Sequence, residues 1–70
     1  MILKYLTKGD HEQWNYIDGI THAATYFDEE HKCMMVALVK SDYLEESHLA
    51  IHDTAYLLND KGQTIERIKM

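Results

Sequence analysis

The seven residues Cys33-Met34-Met35-Val36-Ala37-Leu38-Val39 are apolar at every position. In an extended strand, alternate side chains point to opposite faces. Cys33, Met35, Ala37 and Val39 then line one face, and Met34, Val36 and Leu38 the other. A strand that is apolar on both faces requires cover on both. A chain of 70 residues has little to cover it with, because a domain of this size buries only about 60% of the surface its unfolded form exposes. The sheet can curl into a small closed barrel, pair with a second copy, or keep an apolar patch for a partner. Met34, Met35, Val36 and Leu38 are the expected dimer or partner face, since methionine is unbranched and adapts to what it touches. The simpler alternative is a buried central strand covered by residues 42–52 and the N-terminal hairpin.

The rest of the chain reads as strands separated by short turns. Residues 2–7 are rich in β-branched and aromatic types and predict a first strand. Lys8-Gly9-Asp10 is a turn, and residues 13–17 predict a second strand with Trp14 and Tyr16 on one face. Asp18-Gly19 interrupts it as a turn or bulge. Residues 20–27 and 33–40 predict a hairpin joined by the polar stretch Asp28-Glu29-Glu30-His31-Lys32. Asn59-Asp60-Lys61-Gly62 fits a type I turn closed by a left-handed glycine, flanked by strands at 55–58 and 63–68. Residues 42–52 carry two patterns. As a helix, Asp42 and Glu45 form a capping box, and Leu44, His48, Ile51 and Ala55 share a face. As a strand, residues 47–52 alternate, with Leu49 and Ile51 opposite His48, Ala50 and His52. A short helical turn at 42–46 running into a strand satisfies both. The fold class is therefore mainly β: one domain over residues 1–70, a small antiparallel sheet or meander of about five to seven strands.

Charge is laid out unevenly. The net charge is −5, yet residues 9–58 hold ten acids against Lys32 and Lys40. The chain ends hold five bases, Lys4, Lys8, Lys61, Arg67 and Lys69, against Asp60 and Glu66. An acidic body repels a phosphate backbone, so nucleic acid is disfavoured as a partner. Should the two ends lie on adjacent strands, however, their bases form one basic strip. The acids Asp28, Glu29, Glu30, Asp42, Glu45 and Glu46 form the expected patch for a basic partner protein, or serve as a solvated surface that keeps the protein soluble. The single cysteine, Cys33, excludes a disulfide within the chain and fits a reducing compartment. Residues 1–6 make too short an apolar run for a signal peptide, and no run approaches a membrane span. A cytoplasmic location is expected, with no membrane partner.

Few residues point to chemistry. His48 and His52 have metal-ligand spacing, but no Cys-x-x-Cys or His-Glu-x-x-His pattern accompanies them, so no metal and no cofactor are expected. Cys33 lies in an apolar strand, where a thiol loses reactivity. The carboxylate pairs at 28–30 and 45–46 read as surface runs rather than acid and base partners. No catalytic residue is assigned, and the chain is expected not to be an enzyme.

Three segments carry a resemblance. His22-Ala23-Ala24-Thr25-Tyr26-Phe27-Asp28-Glu29, then 34–42, then 55–70 are similar to the sheet half of the bacteriophage uracil-DNA glycosylase inhibitor. The resemblance covers about two-thirds of the chain. It implies a small acidic antiparallel sheet that blocks a DNA-processing enzyme by copying DNA. That family also has helices before the sheet and an acidic edge strand, and residues 1–19 offer neither, so no binding residue is carried over. In style the chain resembles short acidic proteins of phages and mobile elements of Gram-positive hosts. The expected function is a non-catalytic protein-binding module, a homodimer that inhibits a host protein. The alternatives are an accessory protein that oligomerises through its sheet, and a nucleic-acid binder that uses the basic chain ends.

Overall fold

The computed structural model describes residues 1–69, with the side chain of Leu44 set aside. The fold is all-β and antiparallel, as the strand patterns predict. The chain forms seven strands: β1 Ile2–Lys8, β2 Glu12–Ile17, β3 Ile20–Asp28, β4 Cys33–Lys40, β5 Tyr43–Ile51, β6 Thr54–Leu58 and β7 Thr64–Lys69. They make two antiparallel sheets, a first with order β2-β1-β6-β7 and a second with order β3-β4-β5.

The chain changes sheet twice, at Asp18-Gly19 and at His52-Asp53. Gly19 has φ +70°, the left-handed region that a glycine enters without a Cβ penalty. Its carbonyl accepts from the Ser41 amide at 2.8 Å. Ile20 N–H donates to the Met1 carbonyl at 3.1 Å, and the Met1 nitrogen donates to the Ile20 carbonyl at 2.8 Å. This exchange ties the start of β1 to the start of β3. At the far end of β1, Lys8 Nζ lies 2.8 Å from Asp53 on the second crossover.

One core lies between the sheets. Leu3, Ala55 and Ile68 come from the first sheet; Ile20, Val36, Leu38 and Ile51 come from the second. Leu3 and Val36 are fully buried. Each such side chain contributes about 1.5–3 kcal/mol of hydrophobic stabilisation. The hairpin turn at Asn59 forms as its sequence predicts: Gly62 has φ +83° and donates to the Asn59 carbonyl at 2.9 Å. The Asn59 side chain accepts from the Lys61 and Gln63 amides, both at 2.9 Å.

Residues 42–46 do not form the expected helical turn. Tyr43–Ile51 is strand throughout, paired to β4 from Met34↔Ile51 to Leu38↔Ser47, with an irregularity before Lys40↔Tyr43. The reason is β4 itself. Its central position leaves backbone groups on both edges that only flanking strands can satisfy. The Leu44 side chain, assigned to a helical face from sequence, lies outside the described residues, as does Met70 at the end of the resembling segment.

The apolar strand is covered in a way the sequence alone leaves open. Met34, Val36 and Leu38 turn inward, and the first sheet covers them. Met35, Ala37 and Val39 turn outward, where their neighbours across the ladder include Ala24, Tyr26 and Ala50, whereas Cys33 at the start of β4 is buried. Ala24, Ala37 and Ala50 are small, while Tyr26 on the same face keeps 39% of its surface exposed.

Candidate binding face

The outer face of the first sheet gathers the aromatic and cationic residues of the chain ends. Directly paired residues of an antiparallel ladder share a face. Lys4 pairs with Tyr16 on one side and Tyr56 on the other, and Tyr56 pairs with Arg67. One row, Tyr16–Lys4–Tyr56–Arg67, therefore crosses all four strands. Leu6 pairs with Trp14, which places Trp14 on the same face one step along. Thr54 pairs with Lys69, which adds a further cation.

Contacts within this face are close. The Lys4 ammonium sits 4.6 Å from the Trp14 ring centroid and 6.0 Å from that of Tyr16. Trp14 and Tyr56 are 6.0 Å apart with planes tilted by 39°. Yet the rings are not sealed: Trp14 keeps 39% of its surface exposed and Tyr16 keeps 62%. A shallow depression of about 310 Å³ lies among Lys4, Trp14, Tyr56, Leu58, Gly62 and Thr64. The Lys4 stem lies along apolar surface while its charge remains at the face.

The charges segregate with the sheets. Residues 18–53, which include the second sheet, carry eight acids and two bases. Residues 1–17 and 54–70 carry five bases and four acids. Those four acids lie off the aromatic row. Asp10 and Asp60 are in turns, Glu12 pairs with Lys8 at the end of the ladder, and Glu66 pairs with the inward residue Leu57.

The residues singled out from sequence are distributed differently from the expectation. Asp28, Glu29 and Glu30 surround the β3–β4 turn, whereas Asp42, Glu45 and Glu46 lie on the β4–β5 turn and the start of β5. They flank opposite ends of β4, whose eight residues span roughly 23 Å at ~3.3 Å per step. They make two acidic ends rather than one patch. The proposed apolar contact set also divides. Val36 and Leu38 are buried, and Met34 packs against the core. Only Met35 of the four faces outward, so Met34, Met35, Val36 and Leu38 do not form a common partner face. Alternation puts neighbours on opposite faces, and the core claims the side with the larger residues.

Several other groupings are local. Asp28 Oδ2 lies 2.6 Å from His31 Nδ1, and its Oδ1 accepts from the Glu30 amide at 3.0 Å. The bond from His31 holds the Asp28 carboxyl below its ordinary pKa. Asp28, Glu30 and His31 bring ligand atoms within 4.8 Å of one another, but both Asp28 oxygens are already engaged in the turn. On the outer face of the second sheet, the Tyr26 hydroxyl lies 2.7 Å from His48 Nδ1, and His48 Nε2 lies 2.9 Å from Glu46. His48 is thus engaged at both ring nitrogens, by Tyr26 two strands away and by Glu46 on its own strand. Cys33 is buried, with its thiol 3.8 Å from the Met35 sulfur. Between β1 and β5 the sheets part to leave a cleft of about 620 Å³, with Tyr5, Thr7, Leu49 and His52 among its lining residues. The Lys8–Asp53 pair lies beside it. That contact raises the Lys8 pKa and, chiefly through the same hydrogen bond, lowers that of Asp53.

The aromatic row is the grouping that sequence reasoning missed. From sequence, Trp14 and Tyr16 share one face of a strand, and Lys4 and Arg67 belong to the basic chain ends. The i, i+2 spacing of Trp14 and Tyr16 was the available signal. What joins them to Tyr56 and Arg67 is the pairing of β1 with β6, a contact between residues more than fifty positions apart in the chain.

No helix among the described residues is long and apolar enough to cross a membrane. Comparison of the chain with protein-family models, curated proteins and solved structures returned no match.

Proposed function

We propose that this protein is a non-catalytic binding module whose working surface is the outer face of the first sheet. The observation that carries this reading is the row Tyr16–Lys4–Tyr56–Arg67 with Trp14 beside it. Exposed aromatic side chains beside cations grip a ligand by stacking and charge, and they are enriched where proteins make contacts. Keeping Trp14 and Tyr16 in water contributes little to folding, so a contact is the better account of their grouping. Immobilised protein tests it directly. A variant with Trp14→Ser, Tyr16→Ser and Arg67→Glu should lose the molecules that the unaltered protein retains from a lysate. Retention of the same molecules would overturn the assignment of this face.

A second reading rests on the eight acids of residues 18–53. The two acidic ends of the second sheet would meet a basic host protein, as an inhibitor does. Charge reversal at Glu29, Glu30, Glu45 and Glu46 should then remove the retained partner, while the aromatic variant should leave it in place.

A further inference from the structure

We infer that the outer face of the first sheet takes single-stranded nucleic acid. This rests on the binding role proposed for that face and names its ligand class. The face offers two kinds of group side by side. Trp14, Tyr16 and Tyr56 provide rings, two of them substantially exposed. Lys4 and Arg67 stand in the same cross-strand row, Lys69 lies on the same face, and Lys61 occupies the turn beside the depression. An unpaired nucleotide presents a planar base and a phosphate. Base–aromatic stacking and a cationic track are the two terms by which proteins hold single strands without reading sequence.

Other ligand classes use only half of this. An acidic peptide would engage the cations and leave the rings with nothing planar to stack on. A sugar would cover the rings and leave the cations unpaired. A duplex keeps its base faces stacked within itself, and this four-stranded face projects neither a helix nor a ribbon into a groove. The net charge of −5 argues against nucleic acid only if it is spread evenly, and here it is not. The acid excess belongs to residues 18–53, so it orients an approaching strand toward the first sheet.

The chain contains a single tryptophan, Trp14, on the edge strand β2 of the face and beside Lys4 and Tyr56. Its fluorescence is therefore a local reporter. Titration of the full chain with an oligothymidylate of about twelve nucleotides at low salt should quench Trp14 emission. With Lys4, Lys61, Arg67 and Lys69 engaged, the logarithm of affinity should fall against the logarithm of salt concentration with a slope of about −3. Tyr16→Ser should weaken binding by roughly 5- to 150-fold. Arg67→Gln, at an exposed position, should reduce the steepness of the slope by about 0.7. Absence of quenching by oligothymidylate and oligouridylate, with the protein shown folded by circular dichroism, overturns the inference. Polyglutamate separates the two levels. If polyglutamate quenches Trp14 and the oligonucleotides do not, the face binds but nucleic acid is the wrong class. If the oligonucleotides bind with no dependence on Tyr16 or Arg67, the strand lies elsewhere and the inference fails.

Discussion

The two sheets turn similar faces toward each other and unlike faces toward solvent. Inside, each contributes branched aliphatic residues: Leu3 and Ile68 from the first, Val36, Leu38 and Ile51 from the second. Outside, the first sheet carries Trp14, Tyr16, Tyr56, Lys4 and Arg67, whereas the second carries Ala24, Ala37, Ala50 and Met35 along its middle. The difference teaches how a strand apolar on both sides can exist in a molecule this small. On β4 the large residues serve the core and the outward positions are mostly small, so little apolar surface is left exposed. Both sheets expose rings: Tyr26, Phe27 and Tyr43 on the second, Trp14 and Tyr16 on the first. What sets the first sheet apart is that its exposed rings stand beside a cation, Lys4, in a row that Tyr56 and Arg67 continue. The cross-strand row of rings and cations lies on the first sheet, and the acid excess lies in residues 18–53.

The largest expected effects test whether the two sheets are one folding unit. Leu3→Ala in the first sheet and Ile51→Ala in the second should each cost about 2–5 kcal/mol, since each empties a fully enclosed site. Met35→Ala, on the outer face of the second sheet, should cost clearly less than either. Urea unfolding followed by circular dichroism measures all three. Both core variants should unfold in a single transition, because the sheets share one core. Two separate transitions would break the comparison, leaving two sheets that happen to touch.

A smaller effect compares the outer faces. On the first sheet, Lys4 over Trp14 should show a coupling of about 0.5–1 kcal/mol in a double-mutant cycle with Lys4→Met and Trp14→Leu. On the second, Tyr26→Phe with His48→Ala should report the hydrogen bond between them, worth about 0.5–1.5 kcal/mol. A value near zero for the first pair would mean that Lys4 and Trp14 are neighbours only, and that the cation is free to serve a ligand without losing a partner.

Much of this architecture is legible in the sequence because strand periodicity is local. Residues 33–40 were bounded by polar turns and emerge as β4 with those bounds, and Asn59-Asp60-Lys61-Gly62 announces its hairpin through the glycine that must take positive φ. Residues 42–46 misled because Asp42 and Glu45 satisfy a capping pattern locally, while the need to pair with β4 is a tertiary demand. The candidate face was harder still. Trp14 and Tyr16 announce a shared side, but nothing near them in sequence announces Tyr56, because register between β1 and β6 is set by the packed core. The acidic residues erred in the other direction. Asp28 and Glu45 belong to two runs expected to form one patch, and the length of β4 separates them.

Next in size is a backbone effect confined to the second sheet. Lys32 closes the β3–β4 turn with φ +55°, a left-handed conformation that costs a side chain free energy and costs glycine none. Lys32→Gly should relieve about 1–2 kcal/mol of left-handed strain and lose about 0.4–1 kcal/mol to the added entropy of glycine in the unfolded chain, a net stabilisation on the order of 0.5–1 kcal/mol. That corresponds to a rise in melting temperature of a few degrees for a domain of about this size. The equivalent turn of the first sheet already has its glycine, Gly62 at φ +83°, so Gly62→Ala should destabilise where Lys32→Gly stabilises. Equal signs for the two variants would show that the turns are not comparable.

The smallest effect concerns the ion pair that ties the sheets together. Lys8 and Asp53 are 2.8 Å apart, and both side chains retain access to water, so screening keeps their contribution modest. Its pH dependence is nonetheless specific. The Asp53 pKa is lowered in the folded protein, so its contribution is present above the ordinary carboxylate range and is lost as pH falls below about 4. The Lys8 pKa is raised, so its contribution is complete below the ordinary lysine value and is lost as pH rises past about 10.5. Urea midpoints measured across pH should therefore form a plateau with a fall at each side. Asp53→Asn should flatten both falls, because it removes the carboxylate and, with it, the cause of the Lys8 shift. Asp28→Asn, in the second sheet, should flatten only the acid side, where its own lowered pKa acts. If Asp53→Asn leaves the alkaline fall unchanged, Lys8 is not held by Asp53, and the sheets are joined at that end by the crossover chain alone.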